Sequence, residues 1–274
     1  MLLISNKFTR KGVWSPIRLP ESRLWLDARD VSTFTFNSSN ISQWIDKTAG
    51  RRFQQATSGN QPVYDTTGFN GLPCLSFNGS SQLLRTPAGG PGAIDNANIL
   101  RNTAQAMAYI VIETGASFSS GRALFISTPT SAIPKLALYS SASGLHSMIG
   151  RRLNSDTNQV INTGANTRSL STKYIQGALV DYSGANAKIR INGSELVSAT
   201  FQTAGLAADG NPSATSVGAE SNGANYFLGK IAEVVVAHTS DLSESQKLEG
   251  YLAHKWGMAS TLPNDHPYKN LPPL

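Results

Sequence analysis

Thirteen residues near the end of the chain, Tyr226-Phe-Leu-Gly-Lys-Ile-Ala-Glu-Val-Val-Val-Ala-His238, constrain its fold more than any other stretch. From Ile231 to Val236 the run is β-branched and apolar, of strand length, and free of proline. It reads as a strand buried on at least one face. The segment Ser243 to Trp256 follows, opening with Ser243 three residues before Gln246 in a capping-box arrangement. Leu248, Tyr251, Leu252 and Trp256 then recur at helical spacing, and Gly257 supplies a stop. A long buried strand followed by one short helix, placed last, implies a closing strand with a helix clamped outside the sheet.

Upstream, apolar runs of strand length alternate with turn residues. Arg23 to Ala28 alternates Leu24, Leu26 and Ala28 against Trp25 and Asp27, and Ile41 to Asp46 follows. Phe53, Val63 and Tyr64 mark two shorter strands, and Asn78-Gly79 separates Leu75–Phe77 from Gln82–Leu84. Met107 to Glu113, Ala123 to Ser127, Lys135 to Tyr139, His146 to Arg151, Tyr174 to Tyr182 and Ala214 to Ala219 complete the series. The clearest hairpin spans Lys188 to Val197, with Asn192-Gly193 as its turn. Alternation there turns Ile189 and Ile191 inward, and Lys188 and Arg190 outward. No period of 20 to 50 residues repeats, which argues against a propeller or solenoid. The spacing of strands and turns supports an all-β sandwich.

At 274 residues, with 24 glycines and few charged helix formers, the chain can bury a sizeable β core. Its net charge of +6 comes largely from pairs such as Arg51-Arg52 and Arg151-Arg152. No basic stripe accompanies them, so an acidic protein surface explains the charge as well as nucleic acid does. Cys74 is the single cysteine and sits among apolar neighbours, a small buried hydrophobe. No secretory signal or bilayer-length apolar run is visible, so folding in a reducing cytoplasm is expected. Residues 1–21 stand apart as a basic, extended arm with Pro16 and Pro20. Leu3, Phe8 and Trp14 are its apolar anchors, and Arg10 and Lys11 its charges. The arm is expected to lie along a neighbouring subunit.

Several of these stretches resemble a known family. The run Gly229 to Val236, the Leu-Ser-x-x-Gln turn from Leu242, Tyr251-Leu-Ala-His-Lys-Trp-Gly257 and Leu262-Pro-Asn-Asp-His-Pro-Tyr268 are similar to the close of laminin-G-like domains. Those domains belong to the concanavalin A-like lectin/glucanase superfamily, and this version is common in bacteriophage structural proteins. Leu24-Trp-Leu-Asp-Ala28 with Trp44-Ile-Asp46, and Leu72-Pro-Cys-Leu-Ser-Phe-Asn-Gly79, agree with it. The resemblance covers roughly residues 22–270. It implies a two-sheet antiparallel jelly-roll sandwich with one short C-terminal helix, whose first and last strands pair.

Chemistry is sparse in this sequence. Glycoside hydrolysis needs two carboxylates about 5 to 9 Å apart, and no strand carries two acidic residues at alternate positions; Glu233 and Glu113 are each alone on theirs. The four histidines, His146, His238, His254 and His266, show no zinc spacing. The Gly-rich stretch from Thr86 lacks the Gly-Lys-Ser/Thr of a phosphate-binding loop. Asp27, Asp46 and Asp65 are spaced too widely for a calcium loop, and the Trp-x-Asp pairs are expected to brace strand ends.

Members of the superfamily often bind sugars, commonly with a calcium ion held by loop oxygens. That implies Asp209, Asn211 and Asp181 as oxygen donors, and Tyr64, Phe118, Tyr139 and Tyr226 as aromatics that stack on sugar rings. The expected function is a non-enzymatic structural or adhesive component of a phage particle, present in many copies as a homo-oligomer. One version is a tail- or fibre-associated module contacting host surface glycans. A head or tail decoration protein binding only virion proteins, and a polysaccharide hydrolase, are the alternatives.

Overall fold

The computed structural model describes residues 14–87, 99–127, 134–207 and 214–274. The first strands are β1 (Ser22–Asp27), β2 (Phe34–Asn37), β3 (Asn40–Ile45), β4 (Arg52–Gln54), β5 (Val63–Phe69), β6 (Leu72–Asn78) and β7 (Leu84–Arg85). The middle of the chain supplies β8 (Gln105–Thr114), β9 (Arg122–Ser127), β10 (Pro134–Ser140), β11 (His146–Gly150) and β12 (Gln159–Asn162). The last are β13 (Lys173–Asp181), β14 (Asn186–Ile191), β15 (Ser194–Thr200), β16 (Thr215–Val217) and β17 (Leu228–Ala237), followed by one helix, α1 (Leu242–Lys255). These 17 strands are linked into one large antiparallel sheet that curls almost to a closed barrel. Its curl brings Gln176 of β13 against β11, where its side chain meets His146 Nδ1 at 3.1 Å and donates to Ser147 O at 3.2 Å.

The expected terminal pairing is present. Leu24 to Asp27 run antiparallel to Val236 to Glu233, and β6 continues the same edge against Leu228 to Ile231. The other edge of β17 pairs with β8, which in turn pairs with β13. A register shift between Ile231 and Glu233 adds one residue to β17, and such bulges re-aim the side chains beside them.

One transverse row explains where the helix sits. Trp25, Val235, Tyr109, Gly177 and Arg190 are successive register partners across β1, β17, β8, β13 and β14. They share the face covered by α1. A Cβ at residue 177 would lie 2.2 Å from the Tyr109 ring, so only glycine lets that ring lie flat across β13. Tyr109 Oη then lies 2.6 Å from Ser245 Oγ and donates to Glu249 at 2.8 Å. Arg190 therefore faces outward as the alternation predicts, yet it is buried beneath the helix. Its guanidinium forks onto Glu249, with Nε to Oε1 at 2.7 Å and Nη2 to Oε2 at 3.0 Å. Burial alone raises the Glu249 carboxyl, but bonds from His266 and Arg190 outweigh it and hold the group below the usual range.

The opposite end of the helix is fixed by Glu233, which sequence reading leaves as a lone acid. It is fully buried, and four donors reach it. Trp25 Nε1 and Tyr251 Oη donate to Oε1 at 2.7 and 3.2 Å, while Trp256 Nε1 and Lys255 Nζ approach Oε2 at 2.6 and 2.7 Å. Lys255 also reaches Asp27 Oδ1 at 2.8 Å. The Trp-x-Asp pairs brace strand ends as expected: Asp46 Oδ1 accepts the Trp25 amide at 2.8 Å, and its Oδ2 meets Arg51 Nη1 at 2.7 Å. The helix cap differs from the expected box. Asp241 is the N-cap, accepting from the Glu244 amide at 3.0 Å, and Ser243 Oγ bonds Asp241 instead.

The last residues of the expected arm and the number of strands differ from the sequence reading. Trp14 and Leu19, assigned to the arm, are buried within the domain core, and the Trp14 ring lies 5.5 Å from that of Tyr251. Trp14 thus packs within its own chain, while Leu3, Phe8, Arg10 and Lys11 lie outside the described residues. Strands β2 and β12, absent from the sequence reading, are short and largely exposed, which is why no apolar run marks them.

Trp256 is fully buried and meets Phe69 edge-on at 5.7 Å. Trp256→Ala is expected to cost about 3–5 kcal/mol of stability. Glu233→Gln is expected to cost a similar amount, about 3–5 kcal/mol, because an amide has one acceptor oxygen and its NH2 would meet a donor. Urea denaturation checks both; a loss below about 1 kcal/mol would mean that the helix is not clamped this way.

Candidate functional site

Antiparallel pairing sends several connections to one end of the sheet. Lys173 at the start of β13 pairs with Glu113 at the end of β8, and Gly229 at the start of β17 pairs with Thr114. The segments 115–121, 141–145, 163–172 and 218–227 therefore share one rim. Of the expected stacking aromatics, Phe118 and Tyr226 lie in these segments and Tyr139 stands beside them at the end of β10.

Close backbone approach holds the rim together. A Cβ at residue 121 would fall 2.4 Å from Phe227 Cα, so Gly121 is what lets segment 115–121 lie against Tyr226 and Phe227. The Arg122 amide donates to Asn225 O at 2.9 Å, and Arg122 and Tyr226 form a parallel bridge. Above this, the Arg122 guanidinium lies 4.2 Å from the Tyr139 ring centroid and 3.2 Å from Glu220 Oε1. Asn225 Nδ2 donates to the same oxygen at 2.7 Å. Tyr139 and Tyr226 are partly exposed, Asn225 is exposed, and Phe118 is 42% exposed.

The second half of the rim is built on Arg168. Its amide donates to Gly144 O at 3.2 Å and its Nη1 to Ser141 O at 3.3 Å, tying segment 163–172 to the turn after β10. The Phe118 ring lies 5.2 Å from the guanidinium. Beneath, His146 is fully buried, edge-on to Tyr174 at 4.5 Å. Burial pushes its imidazole down to about 4; the bond to Gln176 opposes the shift, and the charge of Arg168 adds to it. Chemically, the rim offers aromatic faces, amide and guanidinium donors and one carboxylate, which is a binding inventory.

Arg122, Arg168, Glu220 and Asn225 carry no signal in the sequence, because each stands alone at a strand end or in a connection and only the topology unites them. Tyr64 lies outside the rim, in a cluster with Phe34 and Phe36 at ring distances of 5.3 Å. Phe36, Val31 and Val63 beside it are exposed. Asp181, a metal candidate, uses Oδ1 within its own turn, accepting from Ser183 Oγ at 2.8 Å and Gly184 N at 2.9 Å. It lies at the far end of β13 from the rim, and its partners Asp209 and Asn211 lie outside the described residues. Among the described residues no group of three metal-ligating side chains converges.

Two distant carboxylates do converge. Asp27 and Glu233 are register partners and share Lys255. Above them a shallow cavity of about 440 Å³ is lined by Trp14, Trp25, Asp27, Lys47, Tyr251 and Lys255. Both Glu233 oxygens are engaged by buried donors, and Asp27, which lines the cavity, is bound to Lys255. Cys74 is buried, and burial pushes its thiol up to about 12.

No protein-family model matches the chain. No curated protein sequence matches it either. Solved structures are similar in fold. The Trypanosoma rangeli sialidase in complex with sialic acid is 16% identical with a TM-score of 0.56, over 86% of this chain and 33% of that one. Domain 4 of an extracellular GH43 arabinanase from Geobacillus stearothermophilus, solved with arabinotriose, is 13% identical with a TM-score of 0.52, over 82% of this chain and 96% of that domain. The binding domain of botulinum neurotoxin serotype D is 10% identical with a TM-score of 0.56, over 84% and 51%. The chain thus spans about a third of the sialidase, and these likenesses concern the fold.

Burial of His146 has a pH consequence. The unfolded chain binds that proton near pH 6.5, the folded chain only near pH 4. The unfolded state therefore holds more protons in this window, so stability falls as pH drops through it and levels off below. The window is worth about 3 kcal/mol. Gln176, Arg168 and Tyr174 face the imidazole. Relative to wild type, His146→Gln is expected to flatten the decline between pH 6.5 and 4 in urea titrations. An identical slope in both proteins would place the transition on other groups.

Proposed function

We propose that this chain is a non-enzymatic adhesive domain that binds glycans through the rim formed by segments 115–121, 141–145, 163–172 and 218–227. The observation that carries the reading is the convergence of Phe118, Tyr139 and Tyr226 beside Arg122, Glu220 and Asn225. Sugars present flat C–H faces to aromatic rings and hydroxyls to amides and carboxylates, and a rim of this composition meets both. The architecture is read as a two-sheet jelly roll of the laminin-G-like, concanavalin A-like class. The motifs at both ends of the sequence, the β1–β17 pairing and the facing of β13 with β11 support that. The arabinanase domain matched over nearly its whole length was solved with a sugar, which favours a self-contained sugar-binding unit.

The setting proposed is a phage particle, as a tail- or fibre-associated component, resting on the resemblance to phage structural proteins. A second reading, decoration of the particle through protein contacts alone, is favoured by a different feature. Phe36, Val31 and Val63 are exposed apolar residues on and around β2, which among the described residues pairs with β3 alone.

Binding per site is expected to be weak, with avidity gains of about 10² to 10⁴ on multivalent display. Tyr139→Ala and Tyr226→Ala are each expected to weaken glycan-array binding roughly tenfold, about 1.4 kcal/mol. The purified protein is expected to release no reducing sugar from polysaccharides. No array signal under multivalent display would favour decoration. Steady hydrolysis, abolished by changing one Asp or Glu to its amide, would establish an enzyme.

A further inference from the structure

Lys255 is enclosed more tightly than the lysine beside it. Its side chain is 11% exposed, against 22% for Lys47. The ring centroids of Trp25, Tyr251 and Trp256 lie 5.9, 5.1 and 5.3 Å from its Nζ. Within that aromatic cage Nζ is 2.8 Å from Asp27 Oδ1 and 2.7 Å from Glu233 Oε2, and it donates to Tyr251 Oη at 2.9 Å. At the other end of the helix one acid, Glu249, meets one arginine, Arg190. Here two acids meet one lysine. Asp27 and Glu233 are direct register partners on β1 and β17. Like charges so placed destabilise a sheet, and the second acid needs a reason.

The three groups are what amide formation requires: an amine, an acyl carbon and a proton carrier. Burial pushes the Glu233 carboxyl up, so it can accept a proton from the ammonium in contact with it. The freed amine then faces the Asp27 carboxyl. Oδ1 of that carboxyl accepts from the Arg29 amide at 3.1 Å, and Oδ2 lies 3.4 Å from Lys47 Nζ. Donors thus stand on both oxygens, where negative charge develops as the carbon is attacked. The balance closes without a cofactor or oxidant. The Nζ–Cγ bond forms and one Cγ–O bond breaks. Of the three ammonium protons, one stays on the amide nitrogen and two leave with the oxygen as water. One of those two travels by way of Glu233, which ends ionised as it began. The cavity of about 440 Å³ lined by Asp27 and Lys255 gives that water a way out. Effective concentrations of about 10⁵ to 10⁸ M for well-oriented pairs favour condensation over the separate acid and amine.

We propose that Lys255 and Asp27 condense into an intramolecular amide, with Glu233 as the proton carrier, tying β1 covalently to the end of α1. The distances above are those of the three groups before the bond forms. The bond closes a loop that takes in most of the domain, and such a tie restricts the unfolded chain most when the loop is long. It does not depend on what the rim binds.

Mass spectrometry of the denatured wild-type protein tests the bond without any variant. The intact chain is expected to be one water lighter than its sequence. After trypsin, residues 24–29 are expected to be joined to residues 248–269 in one branched peptide, because an acylated Lys255 is no longer cleaved. Lys255→Arg is expected to show its full sequence mass. Asp27→Asn is expected to reach the wild-type mass, since loss of ammonia from asparagine gives the same amide. Glu233→Gln, a poor proton acceptor, is expected to hold at least about tenfold less branched peptide, scored on monomer that elutes as wild type in gel filtration. A wild-type chain at full sequence mass, with Lys255 cleaved by trypsin, overturns the inference. So does a one-water loss that maps to any other residues. A branched peptide undiminished in Glu233→Gln overturns the role of Glu233 as proton carrier.

Discussion

A buried carboxylate must be surrounded by donors, and Glu233 sets the geometry of this protein by that requirement. Its donors come from two places far apart in sequence: Trp25 on β1, and Tyr251, Lys255 and Trp256 at the end of α1. Burial pushes the Glu233 carboxyl up, against the pull of Lys255. Each of its oxygens has two donors, so removing any one of them leaves a buried polar group short of a partner. Closing the sheet through β1 and β17 and seating the helix are thus one event energetically. Glu249 repeats the arrangement at the other end of the row, with Tyr109, Arg190 and His266. Apolar burial by Leu248, Leu252 and Trp256 favours contact but does not fix position. Two anchored carboxylates do, and they prevent the helix from sliding along the sheet.

This separates holding from binding. Under the helix the buried carboxylates Glu233 and Glu249 have donors on both oxygens. The rim is built from turns at the end of the same strands, where β8, β13 and β17 begin or stop. Its members are positioned by backbone bonds to one another, such as Arg122 to Asn225 and Arg168 to Gly144, and owe little to the helix. Side chains at the rim are then free to be chosen for what they contact, because the strands beneath already specify the fold.

What was legible in the sequence follows from that division. Ile231 to Val236 is readable as a buried strand because both its faces are covered by apolar partners, and the Asn192-Gly193 turn because both residues need left-handed backbone, with φ of 49° and 85°. Glu233 and Arg190 mislead for one reason: a period-two pattern says which face a residue takes, and not whether a helix covers that face. Strands β2 and β12 carry no signal since their side chains are mostly exposed. Trp14 reads as part of a basic arm from its neighbours in sequence, while its ring packs against Tyr251. At the rim the aromatics Phe118, Tyr139 and Tyr226 drew notice by residue type. Arg122, Glu220, Asn225 and Arg168 could not, because a single polar residue in a turn acquires meaning only when the topology supplies its neighbours.

The rim itself is asymmetric in a way that bears on orientation. It carries two guanidiniums, each against an aromatic ring: Arg122 on Tyr139 at 4.2 Å and Arg168 on Phe118 at 5.2 Å. Arg122 is neutralised by Glu220, so its side of the rim presents a balanced dipole suited to hydroxyls. Arg168 has no such carboxylate among the described residues, and its side remains positive. Two similar cation–aromatic pairs thus differ in net charge across one surface. A ligand with a neutral sugar and a charged one would experience different attraction at the two ends, with the desolvated charge contributing far more than the balanced pair. On the proposed glycan-binding reading, the two halves of the rim would therefore attract a chain unequally, the balanced Arg122–Glu220 side differing from the side above the buried Arg168.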